Sequence, residues 1–183
     1  MKRTILVALA VALTMAAWQV VAATASDTHE AKPFEGTSQG TQTVGPTGAS
    51  SGTGTVQALH LGSGTYTINS TQDFARHVEG EHGPGNNCAF IDGTITLTAA
   101  DGDQLEGDID NDRSVSCVSQ ETPGPGPDAE YLTTLYVNVT GGTGRFADAT
   151  GYYFSRVTST LTGGSMTGAN FDDVAVLFGD IDY

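Results

Sequence analysis

A few side chains in this sequence join a reactive group to a position that a two-residue alternation could turn toward an interior. His60 alternates with Val56 and Ala58, so its ring could enter the interior and exchange a proton near neutral pH. A hydrogen-bonded histidine at the rim is the plainer use. Asp180 lies in "FDDVAVLFGDIDY" and shares parity with Val174, Val176 and Phe178. If that face turns inward, Asp180 is an interior carboxyl with its pKa raised by burial, a second acid or base candidate. Tyr66 shares a face with Ile68, and Tyr153 with Ser155 and Val157. Either ring could line a pocket for a flat apolar ligand or pack in the core. Arg156, a mid-strand cation in a base-poor chain, could neutralise an anionic ligand or pair with a surface acid.

The stretch "VTGGTGRFADATGYYF" contains Gly142-x-Gly144-x-x-Ala147 after an apolar run, the outline of a dinucleotide fingerprint. That fingerprint works by placing a pyrophosphate at the N-terminus of a following helix. Here the chain returns to Tyr152-Tyr153-Phe154 within a few residues, and the ribose-binding acid expected about 20 residues on is replaced by "TSTLTGGS". The glycines therefore predict a tight turn between strands, with Phe146 as a core plug. No cofactor is implied.

Other chemistry finds little support. No Ser-His-Asp grouping, HExxH or P-loop can be assembled. The acidic run "DGDQLEGDIDND" fails the EF-hand test, because a loop begun at Asp108 puts Arg113 and Ser119 where glycine and glutamate are needed. A looser oxygen site from Asp101, Asp103, Asp108 and Asp110 competes with a solvated hairpin face, and the latter is preferred. Asn69 and Asn138 begin glycosylation sequons in form only.

The first residues, "MKRTILVALAVALTMAAWQVVAATAS", pair a short basic start with an apolar run and an Ala23-Thr24-Ala25 cleavage pattern. Residues 1–25 read as a secretory signal peptide, leaving a chain of one-domain size in a secreted or periplasmic location. With 21 acidic and 7 basic residues and a formal net charge of −14, the surface repels nucleic acid and anionic membrane. Cys88 and Cys117 both fall in the exported part and read as a disulfide, worth about 3 to 4 kcal/mol by chain entropy. Neither has a histidine at metal-ligand spacing.

The elements that would position these groups are strands. "GTYTINS", "FIDGTITLT" and "YLTTLYVNV" alternate, and "DGDQLEGDID" sets Leu105 and Ile109 against Glu106, Asp108 and Asp110. Residues 91–110 predict a hairpin. "STQDFARHVEGEH" is the sole stretch that could hold a short helix. Residues 26–55, dense in Gly, Ser and Thr, read as a linker or one weak first strand, with the barrel domain at 56–183. Strand after strand with Gly- or Pro-rich breaks and no long helix is the pattern of an antiparallel barrel or sandwich. The final strand is apolar on both faces, which predicts that its outer face meets another subunit.

"VTGGTGRFADATG" with an aromatic strand after it, the ending "LFGDIDY", and the stretches "LHLGSGTYTI" and "TAADGDQLEGDI" resemble the allene oxide cyclase and dirigent superfamily, in its exported bacterial branch. The resemblance covers residues 56–183. It implies an all-β, eight-stranded antiparallel up-and-down barrel, calycin-like, forming a trimer or dimer. It also implies a cofactor-independent cyclase or isomerase acting on a small apolar or aromatic molecule in the cavity. The alternatives are a non-catalytic exported barrel that binds such a molecule, a demethylase acting on a redox-active heteroaromatic, and a structural or surface-interaction protein with a filled barrel. A cavity of the ~300 to 1,000 Å³ class would favour enzyme or binder, and a filled interior the structural role.

Overall fold

In a computed structural model that describes residues 30–79, 86–119, 130–165 and 168–183, every regular element but one short turn is a β-strand. The expected signal at 1–25 lies outside the described residues, as do most of the breaks "HGPGNN" and "TPGPGPD". The strands are β1 (Lys32–Val44), β2 (Ala49–Ala58), β3 (Gly62–Glu79), β4 (Asn86–Ala99), β5 (Gln104–Ile109), β6 (Val115–Ser119), β7 (Glu130–Gly142), β8 (Thr150–Ser165) and β9 (Gly168–Asp182). Among the described residues no helix is long and apolar enough to cross a membrane.

All pairings are antiparallel, and β1 meets β9 to close the ring as an eight-stave barrel. Closure removes the unpaired edges that an open sheet would expose. The nine segments make eight staves because β5 and β6 share one. β5 runs beside β4 and β7 at Leu97↔Leu105 and Gly107↔Val139, and β6 beside the same two strands at Cys88↔Cys117 and Cys117↔Leu132.

The break between them is satisfied locally. Ser114 is fully buried, and its Oγ accepts the Tyr136 N–H at 2.9 Å, while its carbonyl accepts the Ile91 N–H at 2.9 Å. A side-chain oxygen thus substitutes for the backbone acceptor that the interrupted stave lacks at Tyr136. Cys88 and Cys117 form the expected disulfide, both buried, stapling the five-residue β6 to β4.

Two staves come from the Gly/Ser/Thr-rich stretch where the sequence pattern predicts at most one. β1 lies wholly within it, and β2 begins there. These strands show no apolar alternation because their barrel-facing positions include Gly36, Ser38, Gly40, Gln42, Gly52 and Gly54. "STQDFARHV" belongs to β3, whose pairing shifts between Asp73 and His77. There Asp73 Oδ1 accepts the Ala75 and Arg76 N–H groups, a local turn that explains the helix-like look.

One end of the barrel is filled. Phe34, Leu61, Leu105, Phe146 and Ile181 are each at most 3% exposed, and Phe146 packs its ring on Tyr183 at 5.0 Å. Gly142 to Ala147 makes the predicted strand-to-strand turn, through a 3-10 turn at Gly144–Phe146. Gly144 has φ +58°, where a Cβ would also overlap the Asp103 carboxylate. Arg145 is held there by Asp101 and Asp103 and donates to the Leu61 carbonyl, tying three connections together over the Phe146 ring.

Candidate functional site

Toward the opposite end, the side chains of the described residues leave space inside the barrel. An internal cavity of about 50 Å³ lies among β1, β3, β4, β7, β8 and β9. A buried water needs roughly 10 to 15 Å³ on the same measure, so the space holds several waters or a ligand of a few non-hydrogen atoms. It falls well below the class expected for a drug-sized ligand. Ile68, Ile95, Leu97, Leu135 and Leu177 form an apolar belt, and Ser38, Ser70, Ser155, Ser159, Gln42 and Asp173 supply polar groups.

Tyr66 and Asp173 organise the polar side. Tyr66 pairs with Gly54, Gly54 with Gly40, and Gly40 with Asp173, so one register row crosses four adjacent strands. The Tyr66 ring lies over the two glycines: a Cβ at Gly54 would collide with Cε1, and one at Gly40 with the hydroxyl. The glycines give the ring the room to reach toward Asp173. The row continues to Ser159 on β8.

Electrostatics follow from this placement. Burial, then the Asp173 charge, pushes the Tyr66 hydroxyl up to about 12. Burial likewise raises the Asp173 carboxyl, with a hydrogen bond from Ser159 working against it and Asp172 adding to it. Asp173 is only 9% exposed, and its Oδ1 is buried without a hydrogen-bond partner among the described residues. Other polar groups satisfy one another: Gln42 Nε2 donates to Ser50 Oγ at 2.7 Å, and the Ser50 and Ser70 hydroxyls are 2.8 Å apart.

Of the residues singled out from the sequence, Tyr66 alone lines the cavity. His60 is exposed in the β2 to β3 turn at φ +66°, its ring beside Tyr183. The alternation that placed it inside stops at Ala58, where β2 ends. Asp180 is exposed because the Val174 face of β9 turns outward: Val174 is 62% exposed, whereas Ala175, Leu177 and Ile181 are buried. Neither His60 nor Asp180 is placed for chemistry in the cavity.

Tyr153 is fully buried against Phe34, ring centroids 5.2 Å apart, and its hydroxyl has no partner among the described residues. It is a core ring, outside the cavity lining. Arg156 is exposed on the outer face and makes no ion pair among the described residues. There it borders a shallow groove of about 320 Å³ with Leu132, Thr134, Val174 and Val176. Phe178 and Phe154 continue this apolar outer face, their rings 5.4 Å apart.

Asp173 is the residue that reading the sequence missed. Its signal was present, since it shares parity with Ala175 and Leu177 in β9. On the acidic hairpin, Asp101 and Asp103 hold Arg145, and the Asp110 carboxylate caps its own turn through the Asp112 N–H. No family model, curated protein or solved structure matches the chain.

Proposed function

We propose that this chain is an exported small-molecule-binding barrel, its ligand seated in the half-cavity between Tyr66 and Asp173. The observation that carries the reading is the asymmetry of the described interior: one end sealed by Phe146, and toward the other a cavity of about 50 Å³ beside a buried carboxyl. A protein using the barrel only as a scaffold gains nothing from leaving a carboxyl oxygen unpartnered beside a void. The leader-like residues 1–25 and the Cys88–Cys117 disulfide support action outside the cytoplasm. The resemblance to allene oxide cyclase and dirigent barrels points to the same use of the interior.

The cavity sets the ligand's size. A molecule of about five non-hydrogen atoms reaches micromolar affinity at best. A cyclase or isomerase on this barrel would draw its proton traffic from Asp173 and Tyr66, the ionisable groups of the cavity lining among the described residues. The exposed Val174, Val176 and Phe178 support self-association through the outer face of β9.

The test is calorimetric melting with three- to five-carbon alcohols and amines. A rise in Tm that is lost when Ala175→Leu fills the cavity supports the reading. No rise with any of them, or an equal rise in the filled variant, removes it.

A further inference from the structure

We propose that the cavity selects a small organic cation, a protonated amine on a short apolar body, held between the Asp173 carboxylate and the Tyr66 ring. The proposal rests on the small-molecule reading above and specifies its ligand class.

The charge inventory of the interior is one-sided. Among the described residues no lysine, arginine or histidine lines the cavity, and the ionisable groups of its lining are Asp173 and Tyr66. An anionic ligand would meet an acid and no base. The described cations are engaged elsewhere or outside: Lys32 sits over the Tyr183 ring, Arg76 pairs with Asp112, Arg113 covers Tyr136, Arg145 is held by Asp101 and Asp103, and Arg156 is on the outer face. Among the described residues, the buried Asp173 carboxyl therefore has no counter-charge. A buried carboxylate without a paired cation is costly, and a ligand that brings an ammonium offsets that cost.

The remaining features fit the same occupant. Ser159 pairs with Asp173 in register and favours its charged form, while Asp173 Oδ1 has no donor among the described residues. An ammonium carries several donors, of which one can reach Oδ1 and others the Ser38 or Ser155 hydroxyls of the lining. Tyr66, whose hydroxyl end lies over Gly40 next to Asp173 in register, sets an aromatic ring within reach of the same charge. Ile95, Leu97 and Leu177 offer apolar surface to a short alkyl body. At long range the net charge of −14 draws cations toward the protein.

The site is pH-dependent in a defined direction. Among the described residues Tyr66 on β3 is the titratable group of the lining that approaches Asp173, while β1, β4, β7 and β8 line the cavity with Ser, Gln, Thr and apolar residues. Asp172, next along β9, is exposed on the outer face. Tyr66 stays neutral through the neutral range. Amine binding requires ionised Asp173 and a protonated amine, so affinity rises from acid to neutral pH and falls above about 10, where an alkylamine deprotonates.

The experiment is isothermal titration of the purified, disulfide-intact protein with n-butylammonium, 1-butanol and butyrate at pH 4 and pH 7. The expected result is n-butylammonium binding at least about tenfold tighter than 1-butanol at pH 7, with most of that advantage gone at pH 4. Asp173→Asn abolishes the advantage, and its circular dichroism and melting transition show that the variant is folded. The wild-type pH comparison stands independently of any variant. If 1-butanol binds as tightly as the amine, or butyrate binds better, the cation claim is overturned while the cavity reading survives. If none of the three binds, both fall together.

Discussion

Tyr66 and Asp173 stand on one register row of the barrel, and both strands between them carry glycine where the row passes, Gly54 and Gly40. The tyrosine spans the gap because nothing projects from those positions. The pair is thus built by what the first two staves omit.

Gly54→Ala tests that relationship. The new methyl meets the Gln39 carbonyl oxygen and the Tyr66 ring, so the strands must shift and the ring must move. Overpacking of this kind costs about 1 to 3 kcal/mol, read by denaturant unfolding. Ultraviolet titration should also show the Tyr66 hydroxyl falling back from about 12. An unchanged stability and titration would mean that the ring does not lie over the glycine.

The Asp173 carboxyl sets a pH dependence of stability in the ligand-free protein. Burial raises it above its ordinary value of 3.8, so the folded chain keeps a proton that the unfolded chain has released. This contribution is complete below 3.8 and is lost as pH rises through the raised value. The stability of wild type relative to Asp173→Asn should therefore decline between pH 3 and pH 7. A difference that grows over that range would contradict the burial.

Phe146 closes the filled end with no exposure at all. Phe146→Ala should cost about 3 to 5 kcal/mol, seen as a fall in the denaturant midpoint. A loss under 1 kcal/mol would mean that the barrel end is closed without it.

The disulfide joins β4 to the five-residue β6. Replacing both cysteines by alanine should cost about 2 to 4 kcal/mol. Native hydrogen exchange should place the largest loss of protection at residues 114–118, because β6 is the shortest stave segment. Two free thiols in the purified protein would refute the bridge.

The outer face of β9 predicts self-association. Sedimentation at micromolar concentration should give a dimer or trimer that Val174→Asp or Val176→Asp dissociates, with the fold retained. A monomer in the wild type would remove that expectation.

The strands were legible wherever apolar residues alternate with polar ones. Leu105 and Ile109 in β5, and Leu135, Val137 and Val139 in β7, are buried as their spacing requires. β1 and β2 were not, because inward positions filled by glycine and serine carry no hydrophobic signal. The glycine turn at Gly142 was legible from the missing helix after it. The candidate site was harder to read, since alternation fixes which residues share a face but not which face is inside. β9 is apolar on both faces, so Asp180 and Asp173 were equally eligible, and only the closed ring assigns Asp173 to the interior. His60 failed for another reason: alternation stops where the strand stops.

If the chain is a small-molecule-binding barrel, its ligand enters the cavity beside Asp173 and no other surface. Amide NMR of the ¹⁵N-labelled protein during titration with n-butylammonium tests it most directly. Saturable shifts are expected at Ser38, Tyr66, Ser155, Ser159, Asp173 and Ala175, all lining the cavity. Shifts confined to the outer groove at Thr134, Arg156 and Val176, or no saturable shifts, would contradict it.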